Sequence, residues 1–350
     1  MRLPVLLPAL LTLLSSAAAR PPSEESTAAA PLYPLSPRSP GPSGPDADAD
    51  ADAESPGRLR ARQPGSELAN LEMPQQFKSA TSLLARLNTD GPQRWLRRLT
   101  EFPNRDHRSK HGILAGKWLQ DKLEVIASAN PAIKVTTVDH APVSNQQSII
   151  VTIPGHLSGP TVIVATHYDA TSGRQEGSAE GADISGSAVV THMEVLRVLA
   201  EHKFKTQNTI EFHFYAGRRA KHFGERAIMN RYSKEKRQIV AVLDQTRAGN
   251  HVLSRSIYTC LEHSDPGLVT FADRVTKYYV GFKPERVQHC AGNHHIAWYH
   301  GFPTLHITGR REDPEDSDTH EDLYQYINWF SILRHSILTL AFVVEAGNGY

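Results

Sequence analysis

Three hundred and fifty residues are more than one small module needs and leave room for at most two or three ordinary domains. The 38 basic and 37 acidic side chains nearly cancel, which argues against nucleic acid, and two cysteines build neither a disulfide framework nor a thiolate zinc site. An apolar fraction of 39% is low for a packed chain, and all 18 histidines fall from His107 onward, so the composition divides into a front piece and a histidine-rich body.

The front piece opens as a signal peptide over residues 1–19. Arg2 supplies the positive start, Leu3 to Leu14 form the apolar run, and Ala17, Ala18 and Ala19 precede Arg20. A membrane anchor fails on length, since such a run spans about 18 Å as helix against a bilayer core of about 30 Å. No later apolar run approaches that thickness, so no membrane span is expected. Residues 20–78 turn to Pro, Ser, Ala and acid, with aspartates alternating with alanines from Asp46 to Asp52. That composition cannot bury enough apolar surface to offset ordering entropy, and disorder is expected. In an exported chain this is a candidate pro-segment, with Arg58, Arg60 and Arg62 as a processing region; a linker or stalk reads equally well. No Asn-x-Ser/Thr sequon occurs.

From residue 79 to 350 strand-like and helix-like patterns alternate. Ser148–Ile153 and Thr161–Thr166 are β-branched runs, and Ser185–His202 has the apolar spacing of an amphipathic helix. Thr209–Tyr215 and Ile239–Leu243 read as strands, Phe223–Tyr232 as a helix, and Tyr324–Glu345 as a long closing helix. The alternation predicts an α/β fold, a mixed, mostly parallel sheet sandwiched between helices. In such sheets a site forms beyond the carboxyl ends of the strands, here just after Thr166, Tyr215, Leu243 and Ile307. His167 and Asp169 stand in the first of these loops, and Asp183 opens the next helix. Imidazole and carboxylates at a sheet mouth suit zinc, with a second carboxylate orienting the imidazole. A hydrogen-bonded loop pair is the alternative reading of His167 and Asp169.

Several ordered segments carry a resemblance: Leu99–Arg105, Trp118–Lys122, His167-Tyr168-Asp169, Gly181-Ala182-Asp183, Ile210–Gly217, Ser264–Leu268 and Gly301-Phe302-Pro303. From about Trp95 onward the chain resembles the secreted di-zinc leucine aminopeptidases of bacteria and fungi. The resemblance implies two zinc ions sharing a bridging Asp and a water. Each ion has one further His; one also has a Glu and the other an Asp, and a second Glu takes the proton from the attacking water.

Carried onto this chain, His167 takes a zinc-His position, Asp183 the bridging position, and Asp169 the position that orients the His. Arg218 stands where the general-base Glu is expected and Arg219 where the ligand Glu is expected. The Asp ligand falls on Thr246 and the late His ligand on Asp318, with His320 two residues beyond. The resemblance therefore implies a secreted, catalytically inactive relative, a pseudoenzyme with no zinc cofactor and with a residual cleft for peptides or protein termini. Arg218, Arg219, His294 and His320 are the cleft candidates, and Arg219 is expected to fork onto Asp183 or Asp318. The rival reading is an active zinc aminopeptidase with a remodelled metal site. A shift of two along a strand keeps the face but moves a ligand about 6.6 Å, as from Thr246 to Asp244. His289, His294 and His295 are either hydrogen-bonded imidazoles or a new metal site. Cys260 and Cys290 could pair in an oxidising space, although nothing in the sequence places them together. The oligomeric state is left open.

Overall fold

A computed structural model describes residues 68, 70, 74–172, 177–249, 257–290, 292–311 and 322–349. The signal peptide, nearly all of the expected pro-segment, Asp318 and His320 lie outside the described residues. Helix α1 is Phe77–Leu84, and the amides of Gln75 and Gln76 donate to the Glu345 carboxylate at 3.1 and 3.2 Å.

Helices α2 (Asp90–Thr100) and α3 (Lys110–Ala127) precede the sheet. The Ser109 hydroxyl accepts the Gly112 amide and so caps α3. The strands are β1 (Lys134–His140), β2 (Ser144–Ile153), β3 (Thr161–His167), β4 (Thr209–Tyr215), β5 (Ile239–Thr246), β6 (Tyr258–Cys260), β7 (Glu285–Val287) and β8 (Thr304–Thr308). The order across the sheet is β1-β2-β4-β3-β5-β8-β6-β7. Its centre, β4-β3-β5-β8, is parallel, whereas β1, β2 and β6 bring antiparallel pairings. This is the mixed, mostly parallel sheet that the alternating pattern requires.

Helices α4 (Ala188–Glu201), α6 (Pro266–Val275) and α8 (Trp329–Gly347) cover one face, and α5 (Phe223–Lys234) and α7 (His295–Tyr299) the other. Phe212, Phe214 and Phe342 are fully buried in the larger core, each worth about 2–3 kcal/mol in transfer free energy. Helix α8 has the length and hydropathy of a membrane span, but 78% of its apolar window is buried inside the fold, as a core helix requires. It starts at Trp329 rather than Tyr324, because the Asn328 side chain accepts the amides of Phe330 and Ser331 and fixes the first turn.

Strand β5 runs past Leu243 to Thr246. Its last three residues are polar, which hides them from an apolar-run reading, yet they are fully paired: Asp244 stands opposite His306 and Thr246 opposite Thr308.

Candidate functional site

Side chains alternate between the faces of a strand. Ile163, Ala165, Tyr215 and Val242 pack toward α5 and α7, so His167, Asp244 and Thr246 present their side chains on that same face. The carboxyl ends of β3, β4, β5 and β8 therefore bring a row of polar groups to one rim.

At the end of β3, the buried His167 ring lies with Nδ1 3.2 Å from Asp169 Oδ1, and Nε2 has no hydrogen-bond partner. Asp169 also accepts the backbone amides of Arg218 at 3.1 Å and Arg219 at 3.0 Å. Burial opposes its ionisation, but the His167 contact and these two amides outweigh it and hold the carboxyl well below the usual carboxylate range. Burial lowers the His167 pKa, and the Arg218 and Arg219 charges add to that effect. The turn that delivers both arginines begins at Gly217, φ 67°, where a Cβ would lie 1.9 Å from the Phe223 ring.

The buried loop that carries Asp169 is anchored by Arg105. Its guanidinium donates to the carbonyls of Leu99, Tyr168, Glu180 and Gly181 and to the Ser185 hydroxyl. Asp183 sits at the start of a π-helical turn, Ala182–Ser187, whose first amides are capped by Asp322. Asp183 Oδ1 accepts the Gly249 amide at 2.8 Å. Burial raises its pKa, and the nearby charges of Arg247 and then Arg310 oppose that rise. These two arginines follow the ends of β5 and β8. Among the described residues no Arg219–Asp183 ion pair is present, and Asp318, the other expected partner of Arg219, lies outside them. Thr246 places its hydroxyl 3.5 Å from His306 Nε2.

Two residues back along β5 lies a second constellation. Asp244, His294 and His306 are 1%, 1% and 0% exposed, and one ligand-capable atom from each lies within 4.8 Å of the others. His306 Nδ1 is 2.8 Å from Asp244 Oδ2, and that oxygen also accepts the Asn293 amide at 2.8 Å. His294, expected on the cleft wall, instead turns inward and stacks on His306 with centroids 5.0 Å apart. Nothing in the sequence singled out His306. The available signal was an imidazole and a carboxylate interrupting the apolar strands Thr304–Thr308 and Ile239–Thr246.

Nearer the surface, Arg218 Nε donates to Asn293 Oδ1, which also contacts His222 Nδ1. The His222 and His295 rings meet edge to face at 4.9 Å, and His263 lies against His295 and Trp298. His289 instead pairs with Glu262 at the surface. His213 is a core residue, held between Glu211 and Tyr215. Cys260 and Cys290 form a disulfide, which tethers the stretch leading into α7.

Residues 148–343 match the model of peptidase family M28. The chain is 32% identical over 281 residues to leucine aminopeptidase 1 of Grosmannia clavigera, covering 75% of this chain and 69% of that one. It is also 32% identical over 287 residues to leucine aminopeptidase 1 of Arthroderma otae, covering 76% of each. Its fold is similar to LapB from Legionella pneumophila, with TM-score 0.73 and 21% identity over 80% of this chain and 79% of that one. It is likewise similar to the glutaminyl cyclase of an Acidobacteriales bacterium, with TM-score 0.62 and 19% identity over 75% of this chain and 95% of that one.

Proposed function

The chain belongs to peptidase family M28, and from that premise we propose that it is an exported, leucine-aminopeptidase-like protein that binds peptides or protein termini without hydrolysing them. The observation that carries this reading is the turn after β4. Where the resemblance expects a base and a ligand glutamate, Arg218 and Arg219 stand with their amides fixed on Asp169. The charges of Arg247 and Arg310 act on Asp183, the expected bridging ligand.

These residues do not fit a pair of zinc ions. Of the four expected ligand seats among the described residues, only His167 and Asp183 offer ligand atoms, and one Asp183 oxygen already accepts the Gly249 amide. Guanidiniums do not deprotonate. A divalent ion placed a few ångströms from them meets a repulsion of several kcal/mol at an effective dielectric of about 20. No carboxylate stands at the general-base seat to take a proton from water.

The same four arginines disfavour a substrate ammonium and suit a carboxylate, which can take a bidentate pair. The expected partner is therefore a peptide presenting a free C-terminus or acidic side chains. Isothermal titration with an N-acetylated, free-carboxylate peptide library should give binding that weakens at least tenfold on C-terminal amidation and in the Arg218→Ala/Arg219→Ala variant. Leucyl p-nitroanilide should not be turned over with or without added zinc. Zinc-dependent release of p-nitroaniline would overturn the reading in favour of an active peptidase with a remodelled site.

A further inference from the structure

We propose that Asp244, His294 and His306 form a buried mononuclear site for a divalent transition ion, zinc by preference. The site lies one strand repeat deeper in the sheet than the seat of the family's metal pair. It uses none of the residues that the resemblance assigns to metal, and it goes beyond the binding role proposed above.

The strands assemble two of the ligands. Asp244 and His306 are paired in register on neighbouring parallel strands, and a two-residue step separates Asp244 from Thr246, about 6.6 Å along the strand. His294 arrives from the segment just before α7, its ring nearly parallel to that of His306 at 13°. The chain on this side is held by the disulfide at Cys290 and by the Asn293 amide on Asp244.

The unsatisfied atoms point to an occupant. Asp244 Oδ1 and His294 Nδ1 are both buried with no hydrogen-bond partner. Buried polar atoms without partners are rare, and each calls for a reason. The tautomer of His294 follows from its other nitrogen: Nε2 lies 2.8 Å from the Glu262 carbonyl and must donate to it. That leaves the Nδ1 lone pair available, the arrangement of a metal-binding imidazole steadied by a carbonyl behind it. Gly292 leaves the adjoining space open, since a Cβ there would fall 2.4 Å from His294 Nδ1 and 2.7 Å from the His306 ring.

The donor set and charge suit the ion. Two imidazoles with one carboxylate form a common zinc set, and the fourth position is left for water or another group. Glu225 Oε2 is a further buried atom with no partner, and its carboxyl interacts with that of Asp244. Burial, and then the charge of Asp244, push the Glu225 carboxyl well above the usual carboxylate range, and a cation held at Asp244 would oppose that rise. The closed burial assigns the ion a structural role in tying β5, β8 and the α7 segment together.

The test is metal content of the full chain purified without chelator, by elemental analysis after equilibration with zinc, alongside absorption spectra of the cobalt-substituted protein. About one ion per chain is expected, with the d–d bands of a tetrahedral nitrogen–oxygen site. Asp244→Asn and His294→Ala should each weaken zinc affinity at least a hundredfold, whereas His167→Ala and Arg218→Ala/Arg219→Ala should keep it. Zinc should raise the thermal midpoint of the wild type and leave that of Asp244→Asn unmoved. Less than about a tenth of an ion in the wild-type chain overturns the site, and this readout does not depend on whether any variant folds. Metal that is lost in His167→Ala and kept in Asp244→Asn also overturns it and places the ion at the family's seat. One ion at Asp244 accompanied by leucyl p-nitroanilide turnover would uphold the site while overturning the silent-binder reading.

Discussion

Arg218 Nε donates to Asn293 Oδ1 at 3.1 Å, tying the turn after β4 to the stretch that leads into α7. A residue at the expected general-base seat thus serves as a strut, and His222 contacts the same Asn293 oxygen. The local structure is organised around cations at this seat, so restoring carboxylates by substitution should not restore chemistry. The variant Arg218→Glu/Arg219→Glu/Thr246→Asp puts acidic side chains at all three seats. Arg247 and Arg310 still flank Asp183, and the carboxylate that replaces the Arg218 guanidinium would face an amide oxygen where a donor stood. The expected outcome is no hydrolysis of leucyl p-nitroanilide above background at any added zinc concentration. Measurable turnover would mean that the substitutions in this turn and on β5 alone silence the fold.

Arg105 is fully buried and joins five acceptors drawn from α2, the loop after β3 and the π-helical turn. A lysine keeps the charge but brings only three donors without the planar fork, so at least two of the five acceptors lose this donor. Arg105→Lys should cost about 3–5 kcal/mol of stability, read as a lower guanidinium midpoint with an unchanged slope. A midpoint within error of wild type would mean that water replaces the lost donors.

The Cys260–Cys290 disulfide closes a loop of sequence separation 30. On the loop-entropy model, removing it with Cys260→Ser/Cys290→Ser should cost about 3–4 kcal/mol. Equilibrium unfolding of the variant and of the wild type under reducing conditions should agree. The loss should appear as faster hydrogen exchange at Asn293 and His294 before it appears in the central strands. Uniform exchange across the sheet would show that the tether acts only on the unfolded chain.

The parts of the fold that repeat a pattern could be read from the residues. β4 is found at its expected bounds because Thr209–Tyr215 is a β-branched and aromatic run, and α5 starts at Phe223 as expected but runs two residues past Tyr232, to Lys234. The site was harder, because polar residues inside strands break the pattern that identifies strands. Asp244 and Thr246 lie within β5, and His306 within β8; their proximity comes from strand pairing some 60 residues apart in sequence. The resemblance located His167, Asp169 and Asp183 but could not show which arginines flank Asp183. Arg247 and Arg310, whose charges act on that carboxylate, follow the ends of β5 and β8 in loops that carry no signature of their own. The cysteine pair was equally silent in sequence, since β6 is only three residues long and gives no register with which to place Cys260.

The face opposite the candidate site holds a buried histidine that makes stability sensitive to acid. His192 on α4 lies with Nε2 2.9 Å from Gln245 Oε1, an oxygen that also accepts the Thr339 hydroxyl, and Gln245 donates onward to His335. Phe212 and Phe214 pack against the ring, so it faces no carboxylate in direct contact. Burial, only partly opposed by the Gln245 hydrogen bond, lowers the His192 pKa from 6.5 to about 4. The unfolded chain therefore binds this proton more readily than the folded one. The stability contribution is complete above pH 6.5 and is lost as the pH falls toward 4. The full drop corresponds to about 3 kcal/mol. His192→Gln keeps a donor for Gln245 and cannot titrate, so between pH 6.5 and 4.5 the wild type should lose about 2–3 kcal/mol more than the variant in urea unfolding. Parallel pH profiles for the two proteins would place the acid sensitivity elsewhere, and the next group to replace would be His335.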